Sequence, residues 1–184
     1  MTALGKSPHL KGWIFLTVLL LTTPASAGQP SLEAAIEATY LYKLGPFISW
    51  PTDRSGKPFA ICIVGEDPFG AVLDQAIAGQ TVQDRPIEIF RVDTIGSGSA
   101  CDIAYLGGSS SQSIANALRA VRGAAIFTVT DDADTPGMAD FTIQGGRVRF
   151  RIDQDAARES GLSISSKLLN LALSVKSSGR IVTP

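Results

Sequence analysis

The sequence predicts an α/β fold: a mostly parallel, Rossmann-like sheet with helices on both faces and a late antiparallel hairpin. Three observations predict it. Apolar runs at 59–64, 87–92, 103–106 and 124–130 are of strand length, and segments of helical periodicity stand between them. Glycine-rich loops, 65–70 and 107–111, each follow a strand-like run and open a helix-like one. Two alternating runs, 141–144 and 147–152, flank Gly145-Gly146, which is a strong hairpin signal. Strand–helix repetition argues for parallel pairing covered by helices, and the hairpin adds an antiparallel edge.

The chain begins with what reads as an export signal over residues 1–27. Lys6 and Lys11 form a basic n-region, residues 13–21 a short apolar h-region, and Ala25-Ser26-Ala27 a small-x-small cleavage site. The apolar run is shorter than the roughly 20 residues needed to span a bilayer. The mature chain is therefore expected to begin near Gly28, in an oxidising compartment outside the cytoplasm, with no cysteine at the cleavage point to anchor a lipid. A single domain is expected over 28–175, followed by a frayed tail at 176–184.

A helix is expected over 32–48, because Leu32, Ile36, Tyr40, Leu44 and Ile48 recur every four residues. Ser31 is its candidate N-cap, and Pro46 or Pro51 ends it. Phe59–Val64 reads as a buried strand and 71–78 as the helix that the loop Gly65-Glu66-Asp67-Pro68-Phe69-Gly70 opens. A second strand covers 87–92 and a third 103–106. A helix carrying Ile114, Leu118 and Val121 comes next, followed by a fourth strand at 124–130. After the hairpin, 155–175 reads as helical with a break near Gly161.

Composition excludes several classes of function. With 16 Lys and Arg against 17 Asp and Glu, and the basic residues scattered, no electrostatic footprint for nucleic acid or an anionic membrane appears. The one histidine, His9, lies in the leader, so Ser-His-Asp and Cys-His catalysis are unavailable. Two cysteines without histidine do not build a usual zinc site. No cofactor, metal or catalytic residue is expected, and the chain is not read as an enzyme. Asp131, Asp132, Asp134, Asp153 and Asp155 lack the glycine and terminal glutamate of a calcium loop and read as solvated acids.

Three groups remain as candidate sites. Cys62 and Cys101 sit in and just before strands that are neighbours in a doubly wound sheet of order 2-1-3, so a disulfide is expected. Closing a loop of about 40 residues would stabilise the fold by roughly 4 kcal/mol. Two buried thiols are the alternative. Phe47, Trp50 and Pro51 form an aromatic cluster after the first helix, either a partner surface or a lid on the core. Gly65, Asp67, Gly70, Gly107 and Ser109 lie in strand-to-helix loops that can present backbone N–H groups to a small ligand, although neither loop matches a phosphate-binding fingerprint. Most such loops need glycine only to turn, and Asp67 also suits helix capping.

The ordered motifs resemble a known family. They are Ala38-Thr39-Tyr40-Leu41-Tyr42-Lys43 running into Phe47-Ile48-Ser49-Trp50-Pro51, then Ile61-Cys62-Ile63-Val64-Gly65-Glu66-Asp67-Pro68-Phe69-Gly70, and Cys101-Asp102-Ile103-Ala104-Tyr105-Leu106. Val129-Thr130-Asp131, Val148-Arg149-Phe150-Arg151-Ile152-Asp153, Ala156-Ala157-Arg158 and Gly161-Leu162-Ser163-Ile164-Ser165-Ser166-Lys167-Leu168-Leu169 follow. In this order they are similar to the YfiR (YfiR/HmsC-like) family of exported bacterial regulators, over roughly residues 32–173. The resemblance implies a periplasmic, dimeric α/β protein that acts by binding. Its partner would be the periplasmic domain of an inner-membrane signalling protein, a diguanylate cyclase in the best-known case. There, repression lowers cyclic di-GMP and restrains biofilm formation, and the family links its redox response to cysteines. Cys62 and Cys101 match one family cysteine pair in position. Met138 and Ile143 stand in the region where some members carry a second pair, and Asp102 and Asp153 stand where His and Asn are common.

Overall fold

In a computed structural model of the protein, the described residues are Met1, Thr2 and 31–184. The expected export signal, apart from its first two residues, and the expected mature start near Gly28 lie outside them. No helix among the described residues is long and apolar enough to cross a membrane.

Helix α1 spans Leu32–Leu44. Ser31 caps it, its Oγ accepting from the Ala34 N–H at 3.1 Å. The helix stops earlier than its apolar period suggests, because Pro46 cannot donate to the ladder. Residues Gly45–Phe47 tighten into one 3-10 turn instead. A two-residue strand, β1 (Ile48–Ser49), follows. Next come β2 (Phe59–Gly65), α2 (Ala71–Ile77), β3 (Thr81–Val82), β4 (Arg85–Val92) and β5 (Ile103–Gly108). Helix α3 (Ile114–Ala120) precedes β6 (Phe127–Thr130), and β7 (Ala139–Gln144) and β8 (Arg147–Asp153) form the hairpin. Gly145 and Gly146 turn it, with φ of 58° and 69°, the left-handed pair such a turn requires.

Among the described residues the main sheet has nine strands, in the order β11-β10-β8-β7-β6-β5-β2-β4-β3. Its centre is parallel, as expected: β4, β2, β5, β6 and β7 run alike, with Cys62 beside Phe90 on one side and Ala104 on the other. β2 is buried along nearly its whole length, which explains its unbroken apolar run. Phe59, Ile61 and Ile63 point into the larger core, with Ala38 and Leu41 of α1 and Leu73 of α2. Cys62 and Val64 point the other way, into a smaller core with Ala104, Leu106, Ala117 of α3 and Val121.

The C-terminal quarter corrects the expectation. In place of one broken helix over 155–175, two short helices, α4 (Gln154–Glu159) and α5 (Ser166–Leu169), bracket a second two-residue strand, β9 (Ser163–Ile164). β9 pairs antiparallel with β1, Ile164 opposite Ile48. Residues 176–184 are not a frayed tail. β10 (Ser174–Ser177) adds to β8 in parallel, and β11 (Arg180–Val182) folds back on β10. The β7–β8 hairpin is thus inside the sheet, and β11 is the edge. Asp155 holds the new turn, accepting from the N–H groups of Ser178 and Gly179 at 2.9 Å each.

Candidate functional site

Cys62 and Cys101 are joined in a disulfide with their Cα atoms 5.9 Å apart. The bond lies in the smaller core, and both residues are buried. It fastens a crossover of an unusual kind. Between β4 and β5 the chain has neither helix nor strand, and residues 93–101 lie on the sheet as a loop. One end of this loop is tied by the disulfide. The other is held by Gln112, whose side chain accepts from the Ile95 N–H at 2.8 Å and donates to its carbonyl at 2.9 Å.

Immediately after Cys101, Asp102 gathers an ion cluster at the N-terminal ends of β2, β4 and β5. Its carboxylate is 1 % exposed and accepts four close contacts. Arg54 Nη1 reaches Oδ1 at 2.8 Å, Arg85 Nη2 reaches Oδ2 at 2.6 Å and Nη1 reaches Oδ1 at 3.3 Å, and the Ala60 N–H donates to Oδ2 at 2.8 Å. The two guanidinium groups spend their remaining bonds on carbonyls. Arg54 donates to Cys101 O at 3.0 Å and Ala125 O at 3.3 Å. Arg85 donates to Lys57 O at 2.8 Å and Pro58 O at 2.6 Å. The cluster therefore ties the polar loop 52–58 to the sheet. With their N–H groups turned onto protein oxygens, the arginines are engaged in a clamp rather than presented to an anion.

The aromatic cluster stands at the start of that loop. Phe47 and Trp50 are half-buried against the larger core, while Pro51 is exposed. The Trp50 ring meets Phe59 edge-on, with centroids 5.5 Å apart, and the Arg85 guanidinium lies over the same Phe59 ring at 5.2 Å. The Trp50 Nε1–H is buried without a hydrogen-bond partner among the described residues. Ser165 donates its N–H to Phe47 O at 2.9 Å, and Pro51 lies close against Gly161. The motifs Phe47–Pro51 and Gly161–Ser165, distant in sequence, thus meet through β1 and β9. A cleft of about 490 Å³ lies beside them, lined by Trp50, Asp53, Arg54, Gln83 and Arg85 among others.

The two glycine loops lie at the opposite, C-terminal ends of the strands, and they meet each other. Glu66 donates its N–H to Gly108 O at 2.8 Å. A Cβ on Gly65 would stand 2.0 Å from Gly108 O, and one on Gly107 would stand 2.2 Å from Glu66 O. The glycines are thus accounted for by backbone packed on backbone. Asp67 accepts from the N–H groups of Phe69 and Gly70, ahead of α2, and from Arg91 Nε at 2.7 Å. Burial pushes its carboxyl up, but the Arg91 and backbone bonds outweigh this and hold it below the usual range. Gly70 is exposed at the head of α2. Ser109 Oγ donates to Asp93 O and accepts from the Ser111 and Gln112 N–H groups, a self-satisfied turn.

Two further groups went unnoticed in the sequence. Arg54 and Arg85 carried no local signal. Glu37, in α1, sits on the helix face that a regular apolar stripe would occupy and is only 7 % exposed. Burial, aided by the charges of Asp131 and Glu33, raises its carboxyl from 4.5 to about 7. The folded protein therefore holds a proton there that the unfolded chain releases, and stability from this group falls as pH rises from about 4.5 to about 7. Glu37→Gln is expected to be more stable than the natural protein at pH 8, by on the order of 2 kcal/mol, and to lose that advantage near pH 4. Urea midpoints at the two pH values check this, and an advantage that does not vary with pH would count against it. Among the described residues, no group of three or more His, Cys, Asp and Glu is placed to hold a metal ion.

A model of the family described as YfiR/HmsC-like matches residues 34–173. No curated protein matches the chain.

Proposed function

This chain belongs to the YfiR/HmsC-like family, and we propose on that basis that it is a periplasmic regulatory binding protein that docks on the periplasmic domain of a membrane-bound diguanylate cyclase and represses it. Repression would lower cyclic di-GMP and restrain biofilm formation. The observation that carries the reading is the family match, which spans nearly the whole folded chain, 34–173. The residues themselves agree with it. A chain with no histidine among the described residues, and with its buried arginines committed to one aspartate and to carbonyls, is built to hold a shape. A disulfide suits an oxidising compartment. Export through residues 1–27 and action as a homodimer belong to the same proposal.

The docking element in this reading is the segment of Phe47, Trp50 and Pro51 with the loop behind it. Pro51 and the loop's tip are exposed, and Trp50 supplies a rigid aromatic next to a cleft. A small ligand at the glycine loops is the less favoured reading, because their close backbone packing accounts for the glycines.

Affinity capture from detergent-solubilised membranes tests the proposal, paired with cyclic di-GMP measurement in a strain deleted for the gene. The natural protein is expected to retain a membrane cyclase, and deletion to raise cyclic di-GMP. Capture of no signalling protein under either oxidising or reducing conditions, with unchanged cyclic di-GMP, would sink it.

A further inference from the structure

The outer edge of β4 is open over most of its length. β3 pairs only with its first two residues, Thr81 opposite Pro86 and Val82 opposite Arg85. From Ile87 to Val92 no strand among the described residues lies on that side, although β2 pairs the whole stretch on the other. The alternation of the ladder tells which backbone groups are left over. Ala60 turns its N–H and carbonyl to Asp102, towards β5, so Ile61 beside it turns to β4. In a parallel pair a residue bonds to the two that flank its partner, and the partner of Ile61 is Ile89. Glu88 and Phe90 therefore face β2, and Ile87, Ile89 and Arg91 turn their N–H and C=O groups outward. Proteins blunt such an edge with Lys, Pro or a bulge. Residues 87–92 contain neither Lys nor Pro, and their register with β2 is unbroken. Arg91 is drawn aside to Asp67 and Asp74. Phe90 and Val92 are 44 % and 40 % exposed, on the sheet face they share with Cys62. An apolar edge with free donors and acceptors is a template for another strand.

The strand that fits is β4 of a second copy, running antiparallel about a two-fold axis normal to the sheet. Side chains keep their faces in such a pair, so even-numbered residues meet even and odd meet odd. Centred on Ile89, the second copy would run into β3, which already sits opposite Pro86. Centred on Arg91, the pairing would set Arg91 against Arg91, and like charges directly opposite are destabilising. Centred on Phe90, the overlap is Glu88–Val92 in both copies and clears β3. Phe90 then meets Phe90, Glu88 meets Val92, and Ile89 and Arg91 exchange their outward hydrogen bonds. We propose that β4 is the contact through which two copies of this chain pair, in register about Phe90, joining their main sheets edge to edge. This deepens the homodimer reading and rests on it. The contact is isologous, so it closes at two copies. The opposite edge, β11, offers three residues only, and pairing β4 with it would give open-ended chains.

Sedimentation velocity and cross-linking of the purified protein test the contact. The natural protein is expected to dimerise as its concentration rises to about 100 μM, as befits a small interface. Phe90→Lys is expected to weaken the dimer at least about tenfold, with circular dichroism showing that the variant is folded. Glu88→Cys and Val92→Cys supply the register. Each alone is expected to stay unlinked, because two copies of the same position stand about 14 Å apart, beyond the reach of a disulfide. Mixed and mildly oxidised, the two variants are expected to form a covalent dimer, since residue 88 meets residue 92 of the second copy. A protein that stays monomeric overturns the proposal, and the homodimer reading with it. A dimer unaffected by Phe90→Lys overturns the proposal alone. So do a mixture that forms no cross-link, either cysteine variant cross-linking by itself, and assemblies larger than two. No membrane partner is present, so none of these outcomes bears on the docking reading.

Discussion

Asp102→Ala is expected to destabilise the oxidised protein by about 3–5 kcal/mol, because it removes the one anion between two guanidinium groups. The cost arises from what is left behind. Arg85 has a side chain only 9 % exposed, and without Asp102 its charge remains buried with neutral carbonyls and the Phe59 ring for partners. The Ala60 N–H, buried in β2, loses its acceptor as well. Arg54, at 24 % exposure, reaches water more easily and adds less. Asp102→Asn is the informative comparison. It preserves the shape and an oxygen for Ala60 but loses the charge, so an intermediate loss is expected. Urea denaturation of the three proteins measures the difference. A loss below about 1 kcal/mol for the alanine variant would mean that water replaces the carboxylate, and that the cluster does not hold the sheet ends together.

The sequence carried the parts of this fold that depend on neighbouring residues. The unbroken run Phe59–Val64 has to be a strand buried on both faces, and the pair Gly145-Gly146 between alternating runs has to be a hairpin. The cysteine pairing followed from strand order, since β2 and β5 are adjacent. The ion cluster was not legible, because Arg54 and Arg85 stand 48 and 17 residues from Asp102 and only the folded sheet brings them together. Glu37 was hidden for a related reason: a charged residue on an apolar helix face reads as solvent-facing until the packing of α1 is known.

The C-terminal region shows the opposite failure, in which local signals pointed the wrong way. Ala156, Ala157, Leu162, Leu168, Leu169 and Ala172 are good helix formers, and 155–175 reads as helical on both sides of a break near Gly161; the break is present, but most of the second helical stretch is not. Gly161 takes φ of 73° and ends α4, and Ser165 caps a new, short helix with its Oγ accepting from the Lys167 N–H. What turns Ser174–Ser177 into a strand is the open edge of β8, a partner that no local window contains. The same tertiary pairing, β1 with β9, brings the Phe47–Pro51 motif against Gly161–Ser165. The aromatic segment is thereby braced from two sides, by the late chain at one end and by the arginine clamp at the other.

Replacing both cysteines by alanine is expected to cost about 4 kcal/mol, a large part of the roughly 5–15 kcal/mol that stabilises an ordinary domain. The sequence separation of 39 sets the size of the closed loop, and the cost is chiefly the freedom that the unlinked chain regains when unfolded. Two lost sulfurs in the smaller core, beside Val64, Ile95 and Leu106, add a packing deficit. Reduction of the natural protein separates the two contributions, because it opens the loop while leaving both sulfur atoms in place. The reduced protein is therefore expected to fall between the natural protein and the double variant in urea midpoint. The loss should also be less than additive with Asp102→Ala, since both changes release the same segment, Cys101–Asp102, from β2. Strict additivity in the combined variant would show that bond and cluster act as separate braces. A coupling of about 1 kcal/mol or more would show that each depends on the other to hold the loop 52–58 against the sheet.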